Sequence, residues 1–125
     1  DFRADIRKDS CIFLNETDMT SLFCNLLDNA LEAARYIPDS FIELAIHQQP
    51  QTAFTIITLV NSCRNNPFSG TGKRLITTKE NKTLHGHGLK IIERVVNRYR
   101  GNMDYYYSEE CHEFHMIIAM KDPRM

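Results

Sequence analysis

No apolar stretch in this sequence approaches the roughly 18 residues that a membrane-spanning helix needs, so no segment of it is expected to cross a bilayer. Nor is there an excess of positive charge. Fifteen Lys+Arg stand against sixteen Asp+Glu, and a formal charge of −1 removes the electrostatic footprint of a general nucleic-acid binder while leaving room for a small, local anion site. Cys11, Cys24, Cys63 and Cys111 lie far apart, with no C-x-x-C and no paired Cys/His spacing, which argues against a zinc site and against a dense disulfide scaffold. Four reduced thiols in a cytosolic protein are expected. The chain has no internal repeat, low-complexity tract or linker-like run, so its 125 residues are read as one domain, 1–125. It opens without an initiator Met or the basic-then-apolar pattern of a signal peptide, and so looks like a piece cut from a longer chain.

What is present alternates between two periods. Phe2 to Arg7 alternates apolar and polar residues as a half-buried strand does, and a second short strand is expected at Cys11 to Leu14. Thr17 or Asp18 would cap a helix running from near Asp18 to Arg35, in which Leu22, Leu26, Ala30 and Ala33 recur at helical spacing. Phe41 to Ile46 and Phe54 to Val60 read as strands paired antiparallel. From Asn61 to His87 the pattern is lost, over a stretch much longer than an ordinary connection. Leu89, Ile92, Val95, Val96 and Tyr99 then define an amphipathic helix, with Gly101 as its left-handed stop. Met103 to Tyr107 and Phe114 to Met120 close the chain as a strand pair. This order predicts an α+β fold, a two-layer sandwich with helices on one face of a mixed, mostly antiparallel sheet.

Two clusters carry chemistry. Asn25, Asn29 and Glu32 fall at i, i+4 and i+7, so a helix lines three polar groups along one stripe, although Asn weakens a helix interior. That stripe is either a solvated face or a metal site, because amide oxygens are hard neutral ligands suited to a Mg²⁺ that keeps several waters. The second cluster is His85-Gly86-His87-Gly88-Leu89, at the expected start of the last helix. Glycines there would let the backbone approach a ligand, with the free N–H groups of the first turn as an anion site; a loop that merely starts a helix is the alternative.

Together the two clusters resemble the ATP-binding domain of the superfamily that joins DNA gyrase, the Hsp90 chaperones, sensor histidine kinases and the mismatch-repair MutL proteins. Asn25-Leu26-Leu27-Asp28-Asn29-Ala30 is similar to the family's asparagine box, and His85-Gly86-His87-Gly88-Leu89 to its second glycine box. Within the family the boxes look like those of sensor histidine kinases, in the branch of peptide-sensing quorum kinases of the accessory-gene-regulator type. The resemblance implies the Bergerat-type ATP-binding fold, ATP and Mg²⁺ as cofactors, and Asn29 as the Mg²⁺ ligand. Asn25 stands where hydrolysing relatives carry a Glu that activates water. An amide is no general base at neutral pH, so this substitution favours transfer to a protein acceptor over hydrolysis.

The adenine pocket departs from the wider family. Where other branches place the Asp of a D-x-G-x-G box, this chain has Val60-Asn61-Ser62-Cys63, leaving Asn61 as a neutral acceptor for the adenine amino group. The segment of about 61–87 would be the ATP lid, with Lys73, Arg74, Lys79 and Lys82 as its cations and Lys79 the one singled out, since Thr77-Thr78-Lys79 resembles a segment of the branch that holds triphosphate.

None of His47, His85, His87, His112 or His115 lies in a segment resembling a phosphoacceptor motif. By resemblance, then, the chain is the catalytic domain of a two-component histidine protein kinase, binding Mg-ATP and donating the γ-phosphoryl group to a His on a separate dimerisation domain. The implied full-length protein is a membrane-anchored bacterial homodimer acting on a response regulator, with this domain in the cytoplasm and no role for nucleic acid. A standalone ATPase of the same fold and a degenerate nucleotide-binding or interaction module are the alternatives.

Overall fold

The computed structural model describes residues 1–7, 11, 13–65 and 82–123, of which 82–87 as backbone. Five strands, β1 (Phe2–Ile6), β2 (Ile42–Gln48), β3 (Phe54–Ser62), β4 (Asn102–Ser108) and β5 (Glu113–Lys121), form one sheet in the order β1-β2-β3-β5-β4. The helix α1 (Glu16–Ala34) carries the chain from β1 to its parallel neighbour β2, and α2 (Lys82–Arg98) connects β3 to the β4–β5 hairpin. Every other strand pair is antiparallel, so the sheet is mixed in the expected way.

Period-2 alternation decides which face is buried. Ile42, Leu44 and Ile46 of β2, Ile57 and Leu59 of β3, and Met116, Ile118 and Met120 of β5 all turn to one side, where Leu22, Leu26, Ala30 and Ala34 of α1 and Ile92, Val95 and Val96 of α2 cover them. Burying a large aliphatic side chain stabilises by about 1.5–3 kcal/mol, so this single layer supplies most of the driving force for the fold. The opposite face keeps half-exposed residues such as Ile117 and a Tyr106–His115 stack with rings 4.6 Å apart. Among the described residues no helix is long and apolar enough to cross a membrane, and all four cysteines are free.

Several local expectations are corrected. Cys11, Phe13 and Leu14 form a turn rather than a strand, closed by Leu14 N–H donating to Cys11 O at 3.1 Å. The cap of α1 is Asn15, whose backbone is extended and whose Oδ1 accepts from Asp18 N–H at 2.7 Å. Asp18 cannot cap because its carboxylate is engaged elsewhere, and Thr17 falls inside the first turn. The strand β1 is paired on one edge but exposed at every residue, because no helix lies over it. Helix α2 begins at Lys82, and β3 continues through Ser62, so both ends of the expected 61–87 loop belong to regular elements. At the end of α2 the left-handed residue is Arg100, φ 52°, not Gly101. Gly101 is needed for a different reason: a Cβ there would lie 2.1 Å from Ala119 O, where the helix exit crosses β5.

Candidate functional site

The seam between α1 and α2 brings both sequence clusters together. On α1, Asn25 and Asn29 are partly buried one turn apart. Asn25 Nδ2 donates to Ser21 O at 2.6 Å, one turn back along the helix, which orients the amide and turns its oxygen toward α2. There it meets Gly88, which is buried inside α2. A Cβ on Gly88 would stand 3.0 Å from Asn25 Oδ1 and 3.5 Å from Asn29 Oδ1, so the two amide oxygens converge on a residue that offers no side chain. Glu32, the third member of the expected stripe, is diverted: its carboxylate pairs with Arg35 at 3.4 Å.

The second glycine cluster is placed differently from expectation. His85, Gly86, His87 and Gly88 form the second turn of α2 rather than the loop before it, so their N–H groups are not the open first turn of a helix. Gly88 serves close approach between helices. Leu89, the last residue of the cluster, packs against the core. Lys73, Arg74, Thr77, Thr78 and Lys79 lie outside the described residues.

Asn61 sits near the end of β3 on the helix-covered face, only 2% exposed. Its Nδ2 donates to Ser62 O at 3.0 Å, and its Oδ1 has no donor among the described residues. A buried amide oxygen without a partner costs free energy, and an incoming N–H donor would recover it. The strand end around it is firmly held. Ser62 exchanges bonds with Phe41 through N–H to O at 3.0 Å and through Oγ from Phe41 N–H at 2.9 Å, while Cys63 N–H donates to His112 O at 2.9 Å. The Tyr107 hydroxyl lies 3.2 Å from Cys63 O, 3.1 Å from Arg64 O and 3.1 Å from His112 Nδ1, closing a clamp on the chain leaving β3. Burial pushes the Tyr107 phenol up, with Cys63 and Glu109 adding to the effect.

A second tie escaped the sequence reading. Asp18, 2% exposed, receives Arg98 Nη1 on one oxygen and the Tyr99 hydroxyl at 2.7 Å on the other, joining the N-terminus of α1 to the C-terminus of α2. Burial first, then the hydrogen bond to Asp18, raises the Tyr99 pKa. One signal could have revealed it. Asp18 continues the Leu22, Leu26, Ala30, Ala34 stripe backwards by four, which puts a carboxylate on the core face and demands a partner.

A family model described as the GHKL domain matches residues 14–119 of this chain, a span that holds both clusters and Asn61. The chain belongs to the GHKL domain family. Solved structures with the same fold include the catalytic domain of histidine kinase ThkA, 16% identical with a TM-score of 0.70 over 98% of this chain and 78% of that one. The mycobacterial sensor histidine kinase MprB is similar at 13% identity, TM-score 0.63, over 97% of this chain and 80% of that one. The histidine kinase domain of an Erythrobacter litoralis blue-light activated kinase is similar at 11% identity, TM-score 0.69, over 98% of this GHKL domain and 52% of that chain. At these identities the likeness establishes the shared fold. Comparison with curated protein sequences finds no match.

The donor set of this GHKL domain fits a lightly held Mg²⁺. Among the described residues no group of three His, Cys, Asp or Glu could enclose a metal. Magnesium in nucleotide sites needs only one or two protein oxygens, the remainder coming from phosphate and water, and the hard, neutral Oδ1 of Asn29 has the chemistry of such a donor.

Proposed function

We propose that this GHKL domain binds Mg-ATP as the catalytic domain of a two-component sensor histidine kinase and donates the γ-phosphoryl group to a His on a separate dimerisation domain. The observation that carries this reading is the convergence of the Asn25 and Asn29 amide oxygens on Gly88, with Asn61 buried on the same face of the sheet. Asn29 would hold the Mg²⁺, which when bound neutralises phosphate charge. Asn25, held by Ser21 O, would hydrogen-bond phosphate or metal-bound water but accepts no proton at neutral pH. Asn61 Oδ1 accepts from the adenine amino group. Gly86 and Gly88 keep α2 close to the nucleotide, and Lys79, His85, His87 and Leu89 complete the proposed binding set.

With no carboxylate at Asn25 the site favours transfer over hydrolysis, since phosphoryl transfer is achieved mainly by positioning and charge neutralisation. His47 in β2, His112 in the β4–β5 turn and His115 in β5 lie off the helices, and His85 and His87 lie in α2 in a segment unlike a phosphoacceptor motif, which supports an acceptor in another part of the protein. The accessory-gene-regulator-type quorum-sensing branch, a response regulator downstream, a homodimeric membrane-anchored whole and a cytoplasmic position for this domain are part of the same proposal, resting on the form of the two boxes.

Calorimetric titration of Mg-ATP into the chain and into Asn29→Ala tests it. The expected result is heat from the wild type that vanishes in the variant at unchanged melting temperature, because Ala removes the ligand oxygen yet improves helix propensity. Equal affinities would sink the metal-ligand role. No binding by either protein would point instead to a degenerate module.

A further inference from the structure

The strand β1 is the part of the fold that the core does not explain. It pairs in parallel with β2, yet parallel pairs are normally covered on both faces and every residue of β1 is exposed. Phe2 and Ile6, turned to the helix side with Ile42 and Ile46, are 56% and 59% exposed. Ile42 N–H donates to Asp1 O and Arg7 N–H to Ile46 O, both at 2.9 Å, so the odd-numbered residues bond to β2. Strand geometry then aims the N–H and C=O groups of Phe2, Ala4 and Ile6 at the open edge, and none of them has a partner among the described residues.

We propose that this edge pairs with the same edge of a second copy of the chain, antiparallel and centred on Ala4, giving one continuous ten-stranded sheet. The sequence Asp1-Phe2-Arg3-Ala4-Asp5-Ile6-Arg7 is self-complementary in that register. Arg3 falls opposite the second copy's Asp5, Asp1 opposite its Arg7, and Phe2 opposite its Ile6. The charged residues occupy non-hydrogen-bonded positions, where cross-strand side chains are closest, and the outward-facing backbone groups meet as hydrogen-bonded pairs. A slip of one pair in either direction sets Arg3 against Arg3 or Asp5 against Asp5. Parallel pairing in register does the same. Only the register centred on Ala4 joins opposite charges throughout, and it closes with two-fold symmetry.

On the open face Arg3 also pairs with Glu43 of β2, and Asp5 lies 3.6 Å from Arg7, so each carries a charge already aligned along the sheet edge. The interface is short and belongs to the weak, transient class, with a dissociation constant of about 10–500 µM expected for a pairing of this size.

Sedimentation velocity of the chain over a concentration series is the test. The wild type should shift from monomer to dimer as concentration rises. Arg3→Asp and Asp5→Arg each place like charges opposite one another and should each raise the dissociation constant by about tenfold or more. Mixed in equal amounts, the two variants become complementary to each other and should dimerise at least as well as the wild type. Ala4→Pro removes only an outward N–H and should abolish the dimer; its melting temperature and that of both charge variants establish that the domain stays folded. A chain that remains monomeric up to about 1 mM, a mixture no more associated than its components, or a dimer indifferent to Ala4→Pro would each overturn the proposal.

Discussion

At the scale of single residues, Gly88 and Asn61 are the two positions where structure changes what a substitution should do. Gly88 lies inside a helix at ordinary dihedrals, so Ala gains about 1 kcal/mol of helix propensity. Its methyl group also meets Asn25 Oδ1 at 3.0 Å, so the amide, anchored to Ser21 O, must give by a few tenths of an ångström and its oxygen is displaced. Gly88→Ala should therefore leave the unliganded melting temperature within a few degrees of wild type and weaken Mg-ATP several-fold while adenosine binding is spared. An undiminished ATP-induced shift in the melt would remove the glycine from the site. Asn61→Asp puts a carboxylate where an N–H now donates to Ser62 O, at 2% exposure. The added acceptor would strengthen a bond to the adenine amino group, but the empty domain should lose about 2 kcal/mol or more at neutral pH. Because burial raises that carboxyl's pKa, the native state holds the extra proton and the loss should shrink in acid. Urea unfolding at neutral and acidic pH checks it.

At the scale of elements, the two helices are joined at both ends of their shared seam. One end is the Asn25, Asn29 and Gly88 contact; the other is Asp18 with Arg98 and Tyr99. Arg98 is half exposed, so the pair is screened on one side, and the cost of Asp18→Ala is set by two hydrogen bonds to a charged group rather than by a fully buried ion pair. A loss of about 2–3 kcal/mol is expected, larger than the roughly 1 kcal/mol of removing the Asn15 cap. Denaturant midpoints of the two variants rank them. If Asp18→Ala costs no more than Asn15→Ala, the tie does not hold that end of the seam.

At the scale of the whole molecule, Tyr99, Tyr105 and Tyr107 share one direction of titration. Burial raises the phenol of each, with Asp18 beside Tyr99 and Glu93 beside Tyr105. A raised native pKa means that the folded state keeps its proton longer than the unfolded chain. The corresponding stability is fully present below the ordinary tyrosine pKa of about 10 and is lost as pH climbs through the raised values. Thermal melts from neutral to strongly alkaline pH should fall steeply above that point, and Tyr99→Phe should flatten the fall. An equally steep decline in the variant would assign the alkaline transition to other groups. The helix layer adds a second whole-molecule feature, because it covers β2 through β5 and leaves β1 bare.

The sequence by itself determined most of the elements and the two boxes. Both helical stripes and the four strands β2 to β5 are written in local periods of 3.6 and 2, and burial on one face holds each strand in register. Asn25 and Asn29 share a helix face for the same local reason. Tertiary structure alone decided the rest. Arg98 and Asp18 are 80 residues apart in sequence, so the local stripe shows that Asp18 needs a partner but not that Arg98 supplies it and leaves Asn15 to cap α1. Alternation in β1 promised a buried face, but burial needs a covering helix, and helix placement is a property of the assembled layer. Gly88 was legible as a glycine before it was legible as a contact. What a missing side chain admits depends on the atoms opposite, and here those are the amide oxygens of another helix.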